Sequence, residues 1–200
     1  MTPLLRIFPL LLLLALLPGA SGAAAPRQPR PDAGIGVLLV RPSLAVRDGG
    51  VPSLILYQEP GVSRIAEKGV ASFPLIPLRS QPAELYPLAV VAKRGGWFRV
   101  AYDDAGRAGW VEKERSWSFL RWEEFLKGRT IRPLPGLRKP FYVLRAAPLT
   151  QAPELRTLTP ESSLRILEIQ GDSARVLLDL SLMGWIQWRD EDGRLLIGID

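Results

Sequence analysis

The chain has 200 residues, 47% of them apolar, and a formal charge of +6, a globular composition long enough for one large domain or two small ones. It holds neither cysteine nor histidine, which excludes disulfides, Cys–His and Ser–His–Asp catalysis and an ordinary zinc site. Its positive charges are mixed with acids, as in Glu112-Lys113-Glu114-Arg115. That is a solvated basic surface and not the stripe along one face that nucleic acid needs.

Residues 1–25 read as a secretory signal peptide. Arg6 is their one charge, residues 7–17 are nearly all Leu, Pro18 and Gly19 break the run, and the small residues 20–25 offer A-x-A-like cleavage points. As an uncleaved anchor the segment would be almost long enough to span a bilayer, but its second half lacks large apolar side chains. Without cysteine there is no lipoprotein attachment site. Removal takes Arg6 and leaves +5. The expectation is export to the periplasm or the exterior, with no membrane association afterwards.

Residues 26–51 read as a linker. "PRQPRPDAG" (26–34) is Pro-rich and extended, and "IGVLLVRPSLAVR" (35–47) supplies a strand that Pro42 would confine to a sheet edge. From Pro52 come short β-branched and aromatic runs closed by Gly, Pro or Asp: "SLILY" (53–57), "LAVVA" (88–92), "WFRVAY" (97–102) and "GWVEK" (109–113). This spacing predicts a small antiparallel barrel or sandwich. In "WFRVAY", alternation puts Phe98, Val100 and Tyr102 on the core face and Trp97, Arg99 and Ala101 on the other.

"SWSFLRWEEFLK" (116–127) predicts a helix capped by Ser116 or Ser118 and ended by Gly128 in the left-handed region, with Phe119, Trp122 and Leu126 on its apolar face. "RPLPGLRKP" (132–140) reads as an extended connector whose prolines forbid regular pairing. Strands return at "FYVLRA" (141–146), "LRILEI" (164–169), "ARVLLDL" (174–180) and "GWIQWR" (184–189). "DEDG" (190–193) is then a hairpin turn between "WIQWR" and "RLLIGI".

The β regions repeat. Aligning Gly95 with Gly171 superposes Arg99 on Arg175, Val100 on Val176 and Asp103 on Asp179, with Gly109-Trp110 and Gly184-Trp185 following at nearly equal spacing. Pro60 and Pro148 also correspond if residues 73–84 are an insertion in the first copy, which loop entropy tolerates. The patterns "GGWFRV…AGWV" and "GDSARV…MGWI" resemble the bacterial Src-homology-3-like domain, over roughly residues 52–115 and 141–190. The second copy departs from the pattern at Ser173, where the first has Trp97. The resemblance implies small barrels in tandem in an exported envelope protein, commonly binding a cell-wall peptide or another protein. The chain thus divides into the signal (1–25), the linker (26–51), a first barrel (52–115), a helix and connector (116–140), and a second barrel with a C-terminal hairpin (141–200). Trp117, Trp122 and Phe125 are expected to hold the barrels together.

Trp110 and Trp185 each follow a glycine at a strand start, which indicates packing. Trp97, turned away from the core beside "DDAGR", offers an aromatic wall for a peptide, or else covers a barrel end or packs on the helix. The candidate ligand-binding residues are accordingly Trp97, Tyr102, Asp103, Asp104 and Arg107. Glycosidase chemistry needs only carboxylates, but Asp103-Asp104, Glu123-Glu124 and Asp190-Glu191-Asp192 read as solvated turns and faces. No phosphate loop or metal-ligand spacing occurs, and no cofactor is expected. The expected function is non-catalytic binding of a peptidoglycan-type envelope peptide or a protein partner. The alternatives are an accessory or inhibitory subunit of an envelope enzyme, and a carboxylate-only hydrolase.

Overall fold

The structure is a computed structural model and describes residues 30–42, 51–79 and 84–200. The signal segment, residues 26–29, and parts of the linker and of the 73–84 insertion lie outside the described residues. The fold is mainly β, two antiparallel sheets of seven strands each. The first holds β1 (Gly36–Val40), β2 (Ser53–Glu59), β3 (Val62–Gly69), β4 (Tyr86–Arg94), β5 (Trp97–Ala101), β6 (Ala108–Glu112) and β7 (Ser118–Leu120), in the order β3-β2-β6-β5-β4-β1-β7. The second holds β8 (Thr130–Pro133), β9 (Val143–Arg145), β10 (Glu154–Thr157), β11 (Leu164–Gln170), β12 (Ser173–Leu178), β13 (Leu182–Gln187) and β14 (Ile197–Ile199), in the order β10-β9-β13-β12-β11-β8-β14.

The two orders are the same, and so are the registers. Arg99 faces Trp110 and Val100 faces Gly109 in the first sheet, as Arg175 faces Trp185 and Val176 faces Gly184 in the second. Gly95 and Gly171 both sit at φ +57 in the preceding turn, where a side chain would be strained. The repeat also reaches further than the aligned motifs. Each sheet takes in a strand before them (β1, β8) and one after them (β7, β14).

That extension overturns several expectations from local pattern. β1 lies between β4 and β7, not at an edge, and all five of its residues are buried. Leu38 and Val40 enter the core of the first sheet, while Val37 and Leu39 enter a second cluster with Ile131, Leu144, Leu164 and Trp188. A strand covered on both faces reads as an unbroken apolar run, and Pro42 simply follows its end. The expected helix at 116–127 is only half realised: Ser118–Leu120 pairs with β1 as β7, and the helix α1 is confined to Trp122–Leu126. The second edge of β1 demands hydrogen-bond partners and outweighs helical periodicity. Arg121, not a serine, precedes the helix, and its N–H donates to Glu124 Oε2 at 3.3 Å. Gly128 is left-handed, at φ +74.

Likewise the start of the connector is β8, paired to β11 and β14 despite Pro133 at its end. The "DEDG" turn is closed by an Arg189–Leu195 bridge, but Ile197–Ile199 crosses to β8 instead of continuing beside β13. The insertion is no free loop. Phe73 and Ile76 are buried, Leu75 bridges to Leu88, and Leu78 bridges to Ile199 in the second sheet. Residues 30–34 are not a mobile linker either. Ala33 N–H donates to Gly193 O at 2.8 Å, and Arg30 pairs with Asp190 at 2.8 Å. Asp190 is buried and accepts the N–H groups of Asp192 and Arg194, so it is not a solvated turn residue.

Trp122 and Phe125 do link elements far apart. Trp122 donates to Ala33 O at 2.7 Å and packs against Trp188 with ring centroids 5.1 Å apart and planes inclined by 45°, inside the cluster shared by β1 and the second sheet. Trp117 belongs to the other core and donates to Arg41 O at 3.1 Å.

Candidate functional site

Along β5 the alternation is as expected. Phe98 and Val100 are buried, and Tyr102 packs partly against the same core. Trp97 lies on the outer face, half-buried. Its ring meets Tyr57 edge-to-face, with centroids 5.3 Å apart, and lies above the β2–β3 turn at Gly61.

Trp110 is buried, as its expected packing role requires, but not by facing the core. Gly109 and Val111 face Val100 and Phe98, so Trp110 shares the outer face with Trp97. It is nevertheless only 6% exposed, since the Arg94 guanidinium lies 5.1 Å over its ring and pairs with Glu59 at 3.0 Å. Glycine, not tryptophan, is the core-facing half of the Gly-Trp pair. A Cβ on Gly109 would stand 3.0 Å from Leu56.

β2 and β6 pair at Tyr57–Trp110. Beyond that point a groove of about 430 Å³ opens between them, its lining including Tyr57, Glu67, Glu112, Lys113, Glu114 and Trp117. Ser53 Oγ donates to Glu67 at 2.6 Å and Arg64 pairs with it at 2.5 Å. The Ser53 bond, against some desolvation and with help from Arg64, holds the Glu67 carboxyl below its ordinary range. Glu112 sits directly across from Trp97. With Glu67 paired to Arg64, Glu112 and Glu114 stand against Lys113, and the groove is mildly acidic in a chain of net positive charge.

The other predicted residues lie at the far end of β5. Trp97 starts the strand and Tyr102 follows its end, so about 17 Å of strand separates them. Asp103 accepts from Arg107 Nε at 2.5 Å and from Arg107 N–H at 3.0 Å. Desolvation opposes the charge on Asp103, but the Arg107 bonds, with the N–H of Ala105, outweigh it and lower the carboxyl pKa. Arg107 also lies 5.7 Å over Tyr102, whose other cation contact is Lys68 at 5.2 Å. Asp104 is exposed in the same turn. The structure thus gathers Tyr102, Asp103 and Arg107 into one turn and leaves Trp97 apart from them, beside Tyr57 and Glu112. Neither neighbour is signalled by local sequence, since both reach Trp97 only across strand pairings.

Among the described residues no three Asp or Glu side chains converge to hold a metal ion, and no helix is long and apolar enough to cross a membrane. No protein-family model matches the chain, and no curated protein matches it. Among solved structures it is similar to the one described as "Endolysin LysPBC5 CBD", at 15% identity over 82% of this chain and 95% of that one, with a TM-score of 0.25. At that TM-score the likeness bears on neither fold nor function.

Proposed function

We propose that the protein is exported and non-catalytic, and that it binds a cell-envelope peptide or a protein partner through two Src-homology-3-like barrels. The observation that carries this reading is the half-exposed Trp97–Tyr57 pair, whose Tyr57 lines a mildly acidic groove together with Glu112, the residue across from Trp97. Aromatic faces set edge-to-face leave flat apolar surface for an extended chain. Glu112 across from Trp97, with Glu114 further along the groove, favours a ligand carrying an amine or guanidinium. Asp103 and Arg107 hold each other, so the weight of the site moves from their turn to Trp97 and Tyr57. A ligand reaching Asp104 as well would need about five extended residues.

The test is titration of the mature protein with envelope-derived peptides, read by tryptophan fluorescence, in wild type and Trp97→Ala. Binding is expected to weaken at least tenfold in the variant with its unfolding midpoint little changed. Equal affinity in both proteins would remove Trp97 from the site. A pull-down on purified peptidoglycan that recovers no protein would reject the wall-peptide version and leave the protein partner.

A further inference from the structure

Two hydrogen bonds at the ends of strand pairs fix where the main-chain groups of β2 and β6 point. Lys113 N–H donates to Gly96 O at 2.9 Å, in the register that sets Trp97 opposite Glu112. In an antiparallel ladder the bonded residues alternate. Val111 and Lys113 therefore turn their N–H and C=O to β5, and Trp110 and Glu112 turn theirs to β2. Val70 N–H donates to Pro52 O at 2.9 Å, in the register that sets Ser53 opposite Gly69. By the same alternation Leu54 and Leu56 bond towards β3, while Ser53, Ile55 and Tyr57 face β6.

Tyr57 and Trp110 meet each other, and the β2–β6 ladder ends there. The N–H and C=O groups of Ser53 and Ile55 then open into the groove from one wall and those of Glu112 from the other. None of them has a partner among the described residues. The second sheet repeats the single contact between strands, as Arg145 and Trp185. Its hollow beyond that pair, at Val143 and Gln187, holds about 30 Å³ against about 430 Å³ in the first. Of the two splits, the first alone has room for another chain.

We infer, on the reading of this groove as the binding site, that it takes an extended segment of a partner protein whose main chain pairs with the free edge of β2 at Ser53 and Ile55. An edge that presents a donor and an acceptor on every second residue recognises a polypeptide backbone whatever its side chains. From Ser53 to Tyr57 the edge spans about 13 Å, room for about four extended residues. Residues opposite Ser53 and Ile55 turn their side chains to the outer face, where Glu112 meets a lysine or arginine. A wall stem peptide matches this edge poorly. Its D-residues and γ-glutamyl link break the two-residue repeat of side chains and amides on which strand pairing depends.

The experiment adds acetyl-Thr-Val-Lys-Val-Thr amide to the mature protein and follows amide hydrogen exchange by NMR. The Ser53 and Ile55 amides are expected to exchange freely alone and to gain about tenfold protection or more at saturation, with Leu54 and Leu56 unchanged. A lysine that reaches Glu112 lies opposite β2 with its own N–H in the ladder. N-methylation of that lysine should weaken binding at least about tenfold, whereas N-methylation of the valines, whose N–H groups turn away from β2, should weaken it far less. Ile55→Pro removes one N–H of the free edge and no bond to β3; it should weaken the peptide several-fold while circular dichroism stays unchanged. Unaltered exchange at Ser53 and Ile55 with millimolar peptide, or equal loss from the two methylations, would overturn the inference. So would tighter binding of L-alanyl-γ-D-glutamyl-L-lysine than of the pentapeptide, or a dimer in sedimentation with these amides already protected. Weakened binding in Trp97→Ala with both amides still exchanging freely in wild type would keep the groove as the site and remove strand pairing. Protection that persists in full in Trp97→Ala would uphold the pairing and take Trp97 out of the site.

Discussion

Leu180 occupies the left-handed region at φ +55, next to Asp179 at φ +49, and is 82% exposed. The turn between β12 and β13 is closed by Ser181 N–H donating to Leu178 O, and two positive φ values are what a tight hairpin of this twist requires. A leucine there is held by the hairpin against its own preference. Leu180→Gly is therefore expected to raise stability by about 1 kcal/mol, measured by urea denaturation. A loss of stability would show that the exposed side chain makes contacts that outweigh the strain. At the other predicted site, the Asp103 carboxyl is depressed below its ordinary value of about 3.9. A depressed acid contributes stability above the unfolded-state pKa, and that contribution is lost as pH falls through the folded-state pKa. Carbon NMR titration should place Asp103 below the exposed aspartates, and Arg107→Ala should move it back towards them.

At the scale of the element, the Gly-Trp strand shows how a short motif encodes a contact between strands. The glycine lies against the neighbouring strand of its sheet: Gly109 against Leu56 of β2, Gly184 against Leu144 of β9. A Cβ on Gly184 would stand 2.6 Å from Leu144 Cγ and 2.9 Å from Arg145 O, while on Gly109 the nearest atoms are at 3.0 and 3.4 Å. Gly184→Ala should cost about 1–3 kcal/mol and Gly109→Ala distinctly less, by the shift in urea midpoint. Equal effects would mean that backbone freedom and not packing is what these glycines provide. The motif's spacing was legible because alternation and turn glycines are local. Its meaning was not, since whether Trp110 faces core or solvent depends on which side of the sheet becomes interior.

Over the whole molecule, β1 and the insertion decide how the sheets relate. β1 sends alternate residues into both hydrophobic clusters, and Leu78 carries the chain from the first sheet to β14. Residues 52–115 hold the motif strands but neither β1 nor β7, so the free edge of β4 and the core around Leu38 and Val40 would be left open. Expressed alone, that fragment should show no cooperative unfolding by circular dichroism or calorimetry, whereas residues 30–200 should. A folded 52–115 fragment would demonstrate that β1 serves only to join the sheets.

Composition and local periodicity were enough to determine the β class, the turn glycines, the register shared by Trp97–Val111 and Ser173–Ile186, and the absence of cysteine and histidine chemistry. Those properties live in backbone dihedrals, a two-residue period and side-chain inventory, all readable within a few positions. Only the tertiary structure decided that the strand before Pro42 is interior, that 118–120 extends rather than coils, and that Tyr57 and Glu112 stand beside Trp97. Each of these depends on hydrogen bonds and packing between segments distant in the chain, as when Leu38 pairs with Phe119 on one side and Leu88 on the other. Such pairings override the weak preferences of a short segment because an unpaired strand edge buried in a core is costlier than an unfavoured local conformation.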